Sequence, residues 1–401
     1  MRVLSYLEEK ECRHGIGLLG AQNIRVSAED AALYYGICAH VCDYDDLSKN
    51  FGGHPGAVIL PVILALGEKK NASKEQLLRA YVAGVEISAI LGASVVKYGL
   101  NAGWNPTTLL GIFGAAAAGA VLLDPNEEQT CNAMGISAGE ASGLKVNYGS
   151  AAKDLTVGRT SAKAVFALEM AALGLDASKE PLCSEHGLLK ILSEKFDEKR
   201  LLTELKAHES DFLNPGIILK PYPSCRGMHN GIDGMLKIVR AQKIKPDDVK
   251  QIICRVQDTV LESNRYMIPK NGVEGKFSLP YCLVLCLYNQ QVTPDDFTED
   301  AKITDEMIQM MKKVKLVKDT NFADAKSGIE VCVQLKDQRN FSVRGNYAKG
   351  DPRNPISEEE FEEKLHHCFA RRVSKEKEQE IIHMWMESEQ INFERLHKLL
   401  G

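Results

Sequence analysis

The chain has 401 residues, 44% of them hydrophobic, and a formal net charge of −5. That length holds one large or two medium domains. No basic tract is present, which argues against nucleic acid as the main partner, because phosphate neutralisation needs clustered Lys and Arg. The opening MRVLSYLEEKECRH is too charged for a secretory leader. No uninterrupted apolar run reaches the roughly 18 residues that span a bilayer, so a cytoplasmic protein with no membrane partner is expected. Eleven cysteines, an odd number with no Cys-x-x-Cys pair, suit reduced thiols better than a disulfide frame or a zinc site.

In chain order, Ser27 stands before Ala31, Ala32, Leu33 and Tyr35 and caps a helix running toward His40. HVCDYDDLSKNFGGHPG follows, with Asp43, Asp45 and Asp46 at the helix end and His54 between Gly53 and Pro55. Pro55 suits the first turn of PGAVILPVILALGE, where its missing N–H would have no partner anyway. Ser73 and Gln76 form a capping box for SKEQLLRAYVAGVEISAILGASVV. Pro106 opens PTTLLGIFGAAAAGAVLL, whose Gly and Ala content marks a tightly packed buried helix rather than a membrane span. TSAKAVFALEMAALGL continues the helical pattern.

The texture changes near Asn214-Pro215-Gly216. RGMHNGIDGMLKIVRAQ reads as helix, VKQIICRVQDTVLE has strand character, and GIEVCVQLKDQRNFSVRG reads as a hairpin. In the hairpin Ile329, Val331, Val333 and Leu335 alternate, the turn falls near Asp337-Gln338, and Phe341 and Val343 resume the pattern. After Asp351-Pro352-Arg353-Asn354-Pro355, Ser357 and Glu360 cap a return to helix. The expected fold is therefore mainly α with an α+β insert: a large all-helical domain over 1–212 and 354–401, with a smaller α/β domain over 213–353 inserted before the C-terminal helices.

Three carboxylates at a helix end face an unfavourable dipole. They can be a solvated end, a hard-cation site or an acid/base and positioning group. A histidine at a helix N-terminus is favoured in its neutral form, and the same helix end attracts a carboxylate. KPYPSCRGMHNGID gathers Lys220, Cys225, Arg226 and His229, and cations beside a helix start are what a small di- or tricarboxylate would need. The Cys225 thiol could be a nucleophile, but no base can be assigned to it, and a free buried cysteine is the better reading. NGVEGKFS lacks the spacing of a phosphate loop.

AALYYGICAHVCDYDD, GGHPGAVILPVILALGE, GWNPTTLLGIFGAAAAGAVLL, AAKDLTVGRTSAKAV, KPYPSCRGMHNGID, GKFSLPYCL and NPISEEEFEEKL stand in this order along nearly the whole chain. Together they resemble the MmgE/PrpD family, which includes 2-methylcitrate dehydratase, cis-aconitate decarboxylase and iminodisuccinate epimerase. The resemblance implies a helical domain completed by C-terminal helices, an α/β lid, an active site in the cleft between them, a homodimer, and no metal or organic cofactor. It also implies chemistry on small polycarboxylates next to a carboxylate: loss of water, loss of CO₂ or proton exchange.

Carried over residue by residue, the resemblance gives Asp43, His54, Lys153 and Tyr281 catalytic positions and sets Cys225 where some decarboxylase-type members carry histidine; Cys225 is expected to bind substrate together with Asn105, Lys220, Arg226 and His229. Asp45 and Asp46 are expected to be structural, bonding amides of the glycine turn. Three departures from the family pattern stand out. Asn105 occupies a place where the family often has histidine, and asparagine cannot transfer a proton at neutral pH. Leu47 replaces a threonine of decarboxylase-like members. The D-Y-D-D motif lies so near the start that the family's first helices are expected to be missing. A hydro-lyase of the 2-methylcitrate dehydratase type is the expected function. The alternatives are an epimerase of a substituted succinate and a non-catalytic paralogue that binds a carboxylate or a partner subunit.

Overall fold

A computed structural model describes residues 2–10, 12, 15–95, 103–193, 195–206, 209–319, 321–322, 328–370 and 372–401. Val96, the last residue of the helix expected to start at Ser73, lies outside them. The chain divides into two units: Met1–Val41 with Asp45–Ile218 and Phe369–Gly401, and Cys42–Tyr44 with Leu219–Cys368.

The first unit opens with α1 (Arg2–Glu8) and a small antiparallel pair, β1 (Ile16–Leu18) and β2 (Ala21–Val26). Helices α2 (Ala28–His40), α3 (Pro55–Lys70), α4 (Lys74–Val95), α5 (Pro106–Leu109), α6 (Gly111–Leu123), α7 (Glu127–Glu140) and α8 (Ala151–Ala172) follow, then α9 (Leu188–Leu192) and α10 (Glu198–Lys206). Their starts lie where the sequence signals put them. Ser27 Oγ accepts from the Asp30 N–H, Pro55 and Pro106 occupy first turns, and Ser73 and Gln76 exchange both bonds of the capping box.

The core of this unit is built from Phe51, Leu66, Leu109, Ile112, Phe113, Val165 and Leu168. The 106–123 segment is long and apolar enough to cross a membrane, as is 74–95. Nearly three-quarters of the 106–123 segment is packed inside the unit, as a core helix requires. Small residues set the helix spacing. A Cβ on Gly36 of α2 would lie 2.7 Å from the Gly158 Cα of α8, so these two backbones touch directly.

The first unit is not all-helical, contrary to expectation. Besides β1–β2, the two-residue strands β3 (Leu47–Ser48) and β4 (Ile217–Ile218) pair antiparallel. Both pairs are too short for alternation to register in a sequence. The β4 pairing also explains why the chain leaves this unit at Ile218. Just before it, the Glu86 carboxylate accepts the N–H groups of Asp211 and Phe212.

The second unit carries a four-stranded sheet of order β6-β5-β7-β8: β5 (Val249–Val256), β6 (Val314–Lys318), β7 (Ile329–Leu335) and β8 (Asn340–Gly345). The β5–β6 pair is parallel and the other two are antiparallel. The expected hairpin is β7–β8, with Val331 opposite Val343 and Val333 opposite Phe341. Alternate residues Ile329, Val331, Val333 and Leu335 are buried against a core that includes Ile232, Met235 and Val239 of α11 (His229–Gln242). Leu279, Leu283 and Cys286 of α14 (Leu279–Asn289) join the same core. Between these elements lie α12 (Asp258–Ser263), α13 (Gly272–Gly275) and α15 (Asp305–Met311).

Ser357 caps α16 (Glu358–Phe369) through its box with Glu360. Most of this helix stays with the second unit, where Lys349 pairs with Glu360 at 3.0 Å and Lys364 Nζ donates to the Lys220 carbonyl. The chain then returns to the first unit as α17 (Lys375–Met386) and α18 (Phe393–Leu400). Their Ile381, Met384, Phe393 and Leu396 pack with Val58, Ile59 and Leu77.

Candidate active site

Of the nine residues expected at a site, His54, Lys153 and Asn105 belong to the first unit, and Asp43, Lys220, Cys225, Arg226, His229 and Tyr281 to the second.

In the first unit, His54 is the N-cap residue of α3. Its ring Nδ1 lies 2.8 Å from the Asp46 carbonyl oxygen and 3.1 Å from Asp45 Oδ2. Neither a carbonyl nor an ionised carboxylate can donate, so Nδ1 carries a proton, and in the neutral ring Nε2 keeps the lone pair. The same Asp45 Oδ2 lies 2.8 Å from His40 Nδ1, and the two imidazoles meet edge to face with centroids 4.9 Å apart. The side chains of His40 and Asp45 are 1% and 6% exposed, whereas His54 is 17% exposed. The array is thus dry at its root and accessible at His54. Burial opposes charge on Asp45, but the two imidazoles outweigh it and hold the carboxyl well below its usual range. Burial first, then the Lys153 charge, depress His40 to about 4, so its ring is neutral at pH 7.

Asp46 bonds an amide of the glycine turn, as expected: Oδ1 accepts the Gly56 N–H at 2.8 Å, and Oδ2 accepts from the Tyr81 hydroxyl. A Cβ on Gly56 would lie 2.6 Å from Asp46 Oδ1, so a side chain there would have to displace the Asp46 carboxylate. Burial pushes the Asp46 carboxyl up, and Asp45 adds to the rise. Asp45 behaves differently from expectation. It bonds imidazoles rather than turn amides, and its Oδ1 is buried with no hydrogen-bond partner among the described residues.

Asn105 caps α5, its Oδ1 accepting the Thr107 N–H at 3.2 Å and the Tyr148 hydroxyl at 3.3 Å. Thr107 Oγ1 in turn accepts the His54 N–H at 3.2 Å. This chain of bonds ties the starts of α3 and α5 together. Lys153, in the first turn of α8, is buried, with Nζ 5.8 Å from the Tyr148 ring centroid. Leu47 lies in β3.

In the second unit, Lys220 Nζ lies 2.6 Å from Asp43 Oδ1 and 3.1 Å from the Asp43 carbonyl. Arg226 donates to the Ala348 carbonyl and faces Asp351 at 3.7 Å, while its Nη1 is buried with no partner among the described residues. A leftover guanidinium donor of this kind suits a carboxylate oxygen. Burial lowers the Arg226 pKa despite Asp351.

His229 is fully buried and donates from Nε2 to the Ser224 carbonyl at 3.1 Å. Burial, then Arg226 and Lys220, hold it well below its usual value. Cys225 is half-buried, and its N–H donates to the Lys276 carbonyl. The Tyr281 hydroxyl donates to the Asp296 carbonyl at 2.6 Å, and burial, then Asp296, push its ionisation up. Tyr281 and His229 therefore spend their donors on backbone carbonyls.

Sequence reasoning passed over His40, Thr107, Tyr81 and Tyr148. No local pattern joins them to His54, although His40 lay within the stretch first singled out. His40, Asp45 and His54 also offer three possible metal ligands with donor atoms within 4.8 Å of one another. The protons that both imidazoles share with Asp45 would have to leave before an ion could bind there.

The sequence matches the MmgE/PrpD N-terminal domain over residues 1–201 and the MmgE/PrpD C-terminal domain over residues 222–389. It is 24% identical over 358 residues to the cis-aconitate decarboxylase of Homo sapiens, covering 86% of this chain and 73% of that protein. A cis-aconitate decarboxylase-like protein of Aspergillus oryzae is 23% identical over 391 residues, 90% of this chain and 79% of its own. The cis-aconitate decarboxylase of Aspergillus terreus is 23% identical over 282 residues, 64% and 56% of the two chains. Domain matches over 1–201, which hold the His54 array, and over 222–389, which hold Arg226, make this chain a member of the MmgE/PrpD family.

Proposed function

We propose that the protein is a lyase acting on a small polycarboxylate by proton transfer at a carbon next to a carboxylate. The observation that carries this reading is the His54 ring. Its Nδ1 proton is shared between Asp45 and the Asp46 carbonyl, which leaves a basic Nε2 on the accessible member of a buried array. In this reading Nε2 takes the proton from carbon, and the bond's electron pair moves into the adjacent carboxylate. Asp45 stabilises the imidazolium that forms without accepting the proton itself. The Lys153 ammonium offsets the charge on the enediolate. The β-hydroxyl then leaves as water with the proton of the His54 imidazolium, which completes a dehydration and restores the neutral ring. A decarboxylation runs the other way: loss of CO₂ leaves the carbanion, and the imidazolium protonates it. The curated relatives are cis-aconitate decarboxylases or decarboxylase-like, which makes cis-aconitate the first acid to try alongside 2-methylcitrate.

The test is proton NMR of the purified protein in D₂O with 2-methylcitrate, citrate, cis-aconitate and substituted succinates. Deuterium is expected to enter the carbon next to a carboxylate in at least one acid, with His54→Ala slower by at least about 100-fold. Exchange with inversion and no elimination would make the enzyme an epimerase. Binding without exchange across the panel would favour a non-catalytic carboxylate binder, and unchanged turnover in His54→Ala would remove that residue from the chemistry.

A further inference from the structure

His40 is buried, belongs to α2 rather than to the His54 turn, and makes its ring hydrogen bond to the same carboxylate oxygen as His54. We propose that His40 is a positioning residue that acts through Asp45 to fix the tautomer and orientation of the His54 ring. This inference rests on the reading of His54 as the proton-transfer group.

Asp45 is bonded through one oxygen only among the described residues. Its Oδ1 is buried without a hydrogen-bond partner among the described residues, and Oδ2 carries both imidazole contacts. An ionised carboxylate with one bare oxygen gains by rotating toward any donor. His40 opposes that rotation. Its ring is fixed at the last turn of α2, and its 2.8 Å bond to Oδ2 is shorter than the 3.1 Å contact from His54. With Oδ2 held, His54 Nδ1 has an acceptor in place on that side and the Asp46 carbonyl on the other.

The identity of the donor matters as well. A lysine or arginine at this place would neutralise Asp45 and weaken its support of a His54 imidazolium. A buried neutral imidazole holds the carboxylate without removing its charge. The other charged or titratable groups around the array are Lys153, whose charge disfavours an imidazolium at His40, and Asp46 with its Tyr81 partner.

The inference predicts different behaviour for His40 variants that have or lack a donor where Nδ1 lies. His40→Phe keeps a ring of similar size and removes the donor. His40→Asn returns an amide N–H close to the Nδ1 position. His40→Gln places its amide nearer Nε2 and serves as the second donor-free variant should the phenyl ring not be accommodated. The readout is the ¹⁵N pattern of the His54 ring in the resting protein, identified among ten histidines by its loss in His54→Gln.

Wild type and His40→Asn are expected to show a single Nδ1–H tautomer. His40→Phe and His40→Gln are expected to show a mixture with Nε2–H, and in turnover a lower kcat with KM little changed. A mere packing role would lower thermal stability in all three variants and leave the His54 tautomer untouched. An unchanged Nδ1–H pattern in both donor-free variants, or a mixture in His40→Asn equal to theirs, overturns the inference. The tautomer is read without substrate, so an inactive protein would sink the lyase reading and leave this result standing on its own.

Discussion

Lys220 Nζ lies 2.6 Å from Asp43 Oδ1, with the two side chains 1% and 4% exposed. A pair this dry gains its stability only while both partners are present, because either charge left alone carries its whole desolvation cost. Lys220→Met or Asp43→Asn should each destabilise the protein by about 3–5 kcal/mol. Asparagine is the suitable replacement at 43, where φ is +50° and an Asx side chain tolerates the left-handed backbone. The double variant should cost clearly less than the sum of the two singles. Urea unfolding measures this, and single variants within about 1 kcal/mol of wild type would mean the pair behaves as a solvated surface bridge.

Acid should weaken the fold before the carboxylates titrate. His40 is shifted from 6.5 to about 4 by burial and then by Lys153, and His229 is held well below its usual value. Both rings are neutral in folded and unfolded chains above pH 6.5, so they add no pH dependence there. Between 6.5 and about 4 the unfolded chain binds protons that the folded one refuses, and stability falls with pH. Asp45, held low, extends the loss below the ordinary carboxylate range, while Asp46, held high, opposes it. Unfolding midpoints at pH 7, 6, 5 and 4.5 should decline steadily. A flat profile would mean that His40 and His229 become protonated in the folded protein.

The Asn105 side-chain oxygen caps α5. Asn105→Ala should cost about 0.5–2 kcal/mol, and Asn105→Asp should retain most of the cap. The loss in Asn105→Ala should also slow turnover, because Thr107, the residue whose N–H is capped, accepts the His54 N–H. Thermal melts with turnover on the same samples would separate the two effects. Equal stability of the alanine variant would show that the cap contributes nothing.

The helices were legible because their ends carry chemistry of their own: Ser27, Pro55, Ser73, Pro106 and Ser357 all stand at helix starts. The β7–β8 hairpin was legible because one of its faces is buried, so its apolar residues alternate. Strand β6 escaped notice because it lies at the sheet edge with only Val314 buried, and lysines on an edge strand blur the pattern. Among the candidate residues, Asp43, His54 and Lys153 stand out in the sequence only through the resemblance to the family motif. The role of Asp45 was not, since its two partners come from the end of one helix and the start of another. Spacing along the chain does not encode which of three neighbouring carboxylates turns toward an imidazole.

The direct contact of α2 with α8 at Gly36 and Gly158 has a consequence for how such a site can diverge. His40 ends the first of these helices and Lys153 begins the second. Main chain rests on main chain at the crossing, so the distance between the two helices does not depend on the size of any side chain. Substitutions elsewhere in the core can accumulate without moving these two groups, and one added methyl at either glycine would shift both at once. The glycine pair acts as a fixed gauge, against which substrate preference can drift while the proton-handling residues keep their places.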